Sequence, residues 1–268
     1  MDFIIYVLLL LIGGCLGGLM AGLLGVGGGI ILTPIQYALL LAMGVPNHIA
    51  LPMSFATSLA VIFVTMIRST KKHYDNGMVV KDYLRELMIL GFMGAILGAF
   101  ISTHVNVRFL EIIFATMCIV SVINMILIKN PENDDNISTS RIGHIMLGLS
   151  AGLLCGLLGV GGGVIMIPAL TVLLRYPTHK AIGTSSASII ATSLGGLITY
   201  IILGWNVPGL PSYSLGYVNV IQFLFLTATS TIVSGYAAGW SKNIDARILK
   251  AMHIVIVLYI GLKMYGLF

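Results

Sequence analysis

Eight residues occur twice in this chain. Gly22-Leu23-Leu24-Gly25-Val26-Gly27-Gly28-Gly29 returns as Gly156-Leu157-Leu158-Gly159-Val160-Gly161-Gly162-Gly163, and a proline follows each copy at the same distance, Pro34 and Pro168. Both copies sit inside apolar sequence. A glycine in a helix interior costs about 1 kcal/mol relative to alanine. Three in succession should end a helix and leave backbone N–H and C=O groups without intrahelical partners. In lipid such groups are tolerated only where protein buries them or where they line a polar cavity. Two interruptions at matching places in two halves are a sequence mark of a transporter binding site.

The premise of a lipid surrounding rests on composition. Of 268 residues, 58% are hydrophobic and 9% charged, and the mean hydropathy is +1.04; a soluble domain carries roughly 25% charged residues. The apolar runs are too long and too continuous for barrel strands. They span 3–24, 29–44, 48–67, 84–103 and 108–128, then 142–158, 164–174, 180–203, 217–240 and 247–267. The two sets give an expected repeat at 1–129, a polar linker at 130–141 and a second repeat at 142–268. His48 to Ser54 aligns with His179 to Ser185 at a slightly shorter offset than the glycines. The reading is an all-α, polytopic membrane protein of about ten helical segments, arranged as two repeats of five.

Five is odd, so the second repeat must be inverted relative to the first. The basic residues agree. With the loops after segments three, five, seven and nine in the cytoplasm, 12 of the 14 Lys and Arg residues lie inside, and only Arg108 and Lys263 fall outside. Both termini are then external, and the first segment, which has no basic leader or small-residue cleavage site, is read as retained. Segments two and seven are too short for a full span, so one-two and six-seven are expected to be broken or re-entrant hairpins. Their tips would approach each other from opposite faces.

The clustered glycines can form an anion cradle, with successive N–H groups and a positive helix end aimed at a ligand. Glycines spaced by four (Gly14, Gly18 and Gly22; Gly152 and Gly156; Gly94 and Gly98; Gly235 and Gly239) read instead as close helix packing. Hydroxyls inside spans supply further donors: Ser54, Thr57 and Ser58 in segment three, and Thr184, Ser185, Ser186 and Ser188 in segment eight. Each can equally bond its own helix. Gln36, two residues past Pro34, is the best placed amide. All nine carboxylates lie at segment ends or in loops, which favours an anionic substrate over a cation-coupled carboxylate site. His48 and His179 read as interfacial residues, His253 as a deeper one. The cysteines Cys15, Cys118 and Cys155 show no metal or disulfide spacing. The expected substrate-binding set is Gly27, Gly28, Gly29, Gln36, Ser54, Thr57, Gly161, Gly162, Gly163, Thr184 and Ser185. No catalytic residue, metal or cofactor is assigned. The expected partners are a small anion and the lipid bilayer, with no nucleic acid and a monomeric or homodimeric state. On this reading Gly162→Ala should impair anion binding more than Gly152→Ala.

The doubled glycine motif, its following prolines and the downstream Ala-x-x-Met/Thr-Ser resemble the sulfite exporter TauE/SafE family, also called the toluene sulfonate uptake permeases. The resemblance covers both halves. It implies a bacterial or archaeal inner-membrane permease for small sulfur oxyanions or organosulfonates, such as sulfite, sulfoacetate or thiosulfate. It places Gly25, Gly27 to Gly29, Pro34, Gly159, Gly161 to Gly163 and Pro168 at the core. The first repeat has Pro52-Met53-Ser54 where the second has Gly183-Thr184-Ser185, so the donors are not symmetric. Two other readings compete. Gly183-Thr184-Ser185 with His253 is similar to the Gly-x-Ser and His arrangement of rhomboid intramembrane proteases, although serine stands at 186 and a duplication has no part in that chemistry. A non-transporting membrane subunit would need large docking loops, and only 68–86 is long enough.

Overall fold

The computed structural model describes residues 3–127 and 137–241, together with Ile254, Val255, Leu258 and Leu262. The central part of the linker, most of segment ten, His253, and Lys129, Lys242, Arg247, Lys250 and Lys263 lie outside the described residues. The described helices follow the apolar runs closely. They are α1 (Phe3–Leu24), α2 (Gly29–Ala42), α3 (Asn47–Asp75), α4 (Leu84–Ser102), α5 (Val107–Leu127), α6 (Arg141–Leu158), α7 (Gly163–Val172), α8 (Thr178–Gly204) and α9 (Val220–Trp240). Six of them, α1, α3, α4, α6, α8 and α9, are long and apolar enough to cross a membrane. The chain is an all-α polytopic membrane protein. α2, of 14 residues, and α7, of 10, are short at about 1.5 Å per residue and start at the two glycine stretches.

α3 departs from its expected end. It continues past residue 67 to Asp75, so Arg68, Lys71 and Lys72 ride on its last two turns instead of in a loop. Hydropathy falls at Arg68, but charge does not break a helix. The break comes where Gly77 takes a left-handed φ of 71°. A second element absent from the sequence reading is a two-stranded antiparallel hairpin, β1 (Ser214–Leu215) with β2 (Val218–Asn219), which leads directly into α9.

α3 and α8 lie at the centre and pack on each other, α3 also against α9 and α2, and α8 against α4 and α7. Around them α1 pairs with α9, and α6 with α4. The two outer pairs are built alike. Gly14, Gly18 and Gly22 lie against backbone at Leu226, Ser230 and Ser234; Gly148, Gly152 and Gly156 lie against backbone at Leu87, Gly91 and Ala95. Without side chains the backbones approach closely, as small residues permit between membrane helices. Gly94 and Gly98 complete the second seam against Leu149 and Leu153. Gly235 and Gly239 share the four-residue spacing but not the role: what lies over them is the side chains of Arg68 and Lys72.

Candidate functional site

Each glycine stretch ends one helix, turns, and starts the next. The turns have nearly the same backbone. Gly25, Gly27 and Gly28 have φ of 63°, 91° and 76°; Gly159, Gly161 and Gly162 have 65°, 87° and 77°. These are left-handed values, which only glycine adopts at little cost. The step from left-handed Gly28 to helical Gly29, and from Gly162 to Gly163, is the alternation that turns successive N–H groups into one concavity.

The two tips meet. A Cβ added to Gly29 would lie 2.7 Å from the Gly159 oxygen and the Val160 Cα, and one on Gly163 would lie 2.6 Å from the Val26 Cα. A Cβ on Gly27 would come within 3.7 Å of the Gly161 Cα. So Gly27 to Gly29 and Gly161 to Gly163 are gathered in one place, and every residue from Val26 to Ile30 and from Val160 to Val164 is buried. Ile62 of α3 touches the Gly27 and Gly161 positions, and Ile189 of α8 the Gly27 and Gly163 positions.

The carbonyl side of this crossing is bonded. Ser185 donates to the Gly25 oxygen at 3.4 Å, and Thr33 to the Gly159 oxygen at 3.5 Å. The amide side is different. Neither α2 nor α7 has a side-chain cap. The N–H groups of Val26, Gly27, Gly28, Gly29 and Ile30 have no hydrogen-bond partner among the described residues, nor do those of Val160, Gly162, Gly163 and Val164; the Gly161 amide faces the Cys155 thiol. Two buried helix N-termini thus bring unpaired donors and positive dipole ends to one region.

The expected hydroxyls divide. Ser185 reaches a tip. Ser54 donates to the Ala50 carbonyl of its own helix at 2.7 Å. Thr57 accepts from the Asn219 amide at 2.9 Å, and Thr184 from the Val80 amide at 3.0 Å, so each ties a loop to a central helix and keeps its own proton free to donate. Gln36 is fully buried, and neither atom of its amide has a partner; it lies about two turns along α2 from the tip. One residue stands out that the expected set omitted. Ser58 is fully buried with no partner for its hydroxyl, and it sits between Phe55, which touches Gly159, and Ile62, on the same face of α3 at helical spacing. Sequence placed Ser58 among several hydroxyls without distinguishing it, because own-helix bonding cannot be read from residue type. Ser188 is also unpartnered but faces Gly91 of α4. The carboxylates with described ion pairs are held at helix ends, Glu86 by Arg141 at 3.2 Å and Glu111 by Arg108 at 3.1 Å, with Tyr37 also donating to Glu111. His48 and His179 are exposed at helix starts.

A multi-pass membrane protein built round two interrupted hairpins, with unpaired backbone donors buried where they cross, has the plan of a membrane transporter. The chain belongs to the sulfite exporter TauE/SafE family, whose model matches residues 10–264. Relatives align end to end. A probable membrane transporter protein of Haemophilus influenzae is 27% identical over 97% of this chain and 98% of its own. One from Methanocaldococcus jannaschii is 28% identical over 98% and 97%, and one from Bacillus subtilis 25% identical over 96% of each. No solved structure matches. Family and relatives make this chain a membrane transporter; their names point away from an enzyme.

Proposed function

We propose that this transporter carries a small anion, a sulfur oxyanion or organosulfonate such as sulfite, sulfoacetate or thiosulfate, bound where the two glycine tips cross. One observation carries the reading: two buried helix N-termini whose amides have no described partner. Unpaired N–H groups inside a membrane protein cost free energy unless a ligand or water completes them. An oxyanion completes several at once and is favoured by both helix dipoles. Backbone donors from Gly27, Gly28, Gly29, Gly161, Gly162 and Gly163 would hold it, with the hydroxyls of Thr57, Thr184, Ser185 and Ser54 and the Gln36 amide as nearby donors. The Ser54 and Ser185 protons must first leave the Ala50 and Gly25 carbonyls. We add Ser58 to this set. Such donors bind charge without a paired lysine to trap it, which suits a site that must also release. Transport would proceed by rocking one half against the other around the crossing.

The halves 1–129 and 142–268 would form inverted repeats joined by 130–141 in the cytoplasm, with both termini outside. Ser212→Cys should then react with an impermeant maleimide from the outside and Lys81→Cys from the inside only. Labelling of both from one side overturns the orientation. For the substrate, purified protein is reconstituted into liposomes and uptake of labelled sulfite, thiosulfate, sulfoacetate and sulfonates is followed. The expected result is saturable uptake of at least one. A folded protein that moves none of them ends the proposal.

A further inference from the structure

Away from the tips, the last turns of α3 and the end of α9 flank an open cavity of about 550 Å³. Three cations line it, Arg68, Lys71 and Lys72, spaced so that they share one face of α3. Among the described lining residues Asp75 is the acidic one. Among the described residues none of the three cations forms an ion pair. The opposite wall is α9, and there Gly235 and Gly239 withdraw their side chains: a Cβ on Gly235 would fall 2.7 Å from the Arg68 Nε, and one on Gly239 3.4 Å from the Lys72 Cε. The glycines thus let two long basic side chains lie flat against α9 with their heads in the cavity. Tyr236 and Trp240 flank the mouth, exposed at 63% and 60%. Aromatic residues of that kind sit at headgroup level.

We infer that this cavity binds the phosphodiester headgroup of an anionic lipid, such as phosphatidylglycerol or cardiolipin. The reasoning is chemical. Unpaired cations beside exposed Tyr and Trp at a helix end match a phosphate above and acyl chains below, and basic recesses between transmembrane helices are a recurrent lipid-headgroup site. The cavity is outside the proposed transport site and needs no charge from it. Placing it in the inner leaflet rests on the orientation proposed above, whereas binding itself does not.

The test is lipid retention by the whole purified protein in native mass spectrometry, after equilibration with equal phosphatidylglycerol and phosphatidylcholine. The wild type should keep phosphatidylglycerol selectively. Each basic residue near an anionic surface is worth roughly a factor of five, so Arg68→Gln with Lys72→Gln should lower retention by roughly 30-fold. Arg108→Gln, at the start of α5, off the cavity lining and paired with Glu111, should leave it unchanged. Gly235→Leu, which fills the floor, should reduce retention while the three charges remain. Equal retention in wild type and the double variant overturns the site. Equal retention of phosphatidylcholine overturns the anionic chemistry. Full displacement by millimolar inorganic phosphate, with no preference for lipid, overturns the lipid and leaves a free-phosphate site. Absence of anion uptake by the wild type with its lipid selectivity intact would count against the transport proposal alone.

Discussion

The two glycine tips share a backbone and differ in what touches it. Their φ angles agree within a few degrees, and each tip packs on the other through equivalent positions, Gly29 on Val160 and Gly163 on Val26. The surroundings diverge. Gly25 faces the Ile182 carbonyl and the Ser186 hydroxyl of α8, whereas Gly159 faces Phe55 of α3. The Gly25 oxygen is held by a serine of α8, the Gly159 oxygen by a threonine of α2. Backbone donors come in a symmetric pair, and side chains make the site one-sided. A duplicated scaffold can therefore present the same N–H groups from both halves while its two approaches differ.

The comparison can be broken first at the backbone. A Cβ on Gly28 runs into the Gly17 carbonyl, and one on Gly162 stops 2.9 Å from the Ala151 oxygen. Both also need a left-handed φ. Gly28→Ala should lose about 3 kcal/mol or more and Gly162→Ala about 2 kcal/mol, read as thermal unfolding in detergent. Equal stability of Gly28→Ala and wild type would show that the tips are looser than described. For folding the order differs from that expected for anion binding: Gly152→Ala should be worse than Gly162→Ala, because its Cβ would enter the Gly91 backbone. Alanine at the tip is thus a poor probe of binding.

A sharper probe is the contrast between two serines of α3. Ser58→Ala should cut anion uptake by roughly tenfold or more, the worth of one hydrogen bond to a charged group, with no loss of stability, since the hydroxyl has no protein partner to lose. Ser54→Ala, whose proton is already spent on Ala50, should change uptake by about twofold at most. The opposite order would move the site away from Ser58. A smaller effect separates the two tips. Ser185→Ala and Thr33→Val each strip one buried carbonyl of a long hydrogen bond, costing about 1 kcal/mol apiece. If only one of them alters uptake, the site is one-sided; matched losses would favour a symmetric one.

The smallest effect lies outside the tips. Tyr176, in the turn between α7 and α8, bonds the His144 ring at 2.9 Å, and burial, with the Asp82 charge assisting, pushes its phenol up to about 12. The raised value means the folded state keeps its proton after the unfolded chain has lost it. Stability from this group is intact below pH 10 and drains away between about 10 and 12. Tyr176→Phe should flatten that decline in an unfolding series against pH. An unchanged slope would exclude Tyr176 as its source.

Much of the architecture was legible. The apolar runs located the described helices to within a few residues because a membrane helix must be apolar along its length. The tips were legible because only glycine tolerates their backbone. The end of α3 was not, since hydropathy reports lipid depth and a helix runs on into the aqueous phase until something like Gly77 stops it. The separate fates of Gly18 and Gly235 were hidden too. Both belong to four-residue glycine spacings, and only the neighbouring helix decides whether a backbone or an arginine lies over them. Hydroxyl roles were least legible, as Ser54 and Ser58 differ only in whether the hydroxyl oxygen has an acceptor within reach.

The pairing of α1 with α9 sets a timetable. Thr229 of α9 bonds the Leu11 carbonyl of α1 across 218 positions of sequence. At roughly 5–20 residues per second of synthesis, the glycine seam of α1 waits on the order of 10–40 s for the helix that covers it. α6 has no such delay, because α4 precedes it. During that interval the first hairpin must be sheltered by the insertion machinery or by lipid, which makes it the part of the nascent chain most open to capture by quality control.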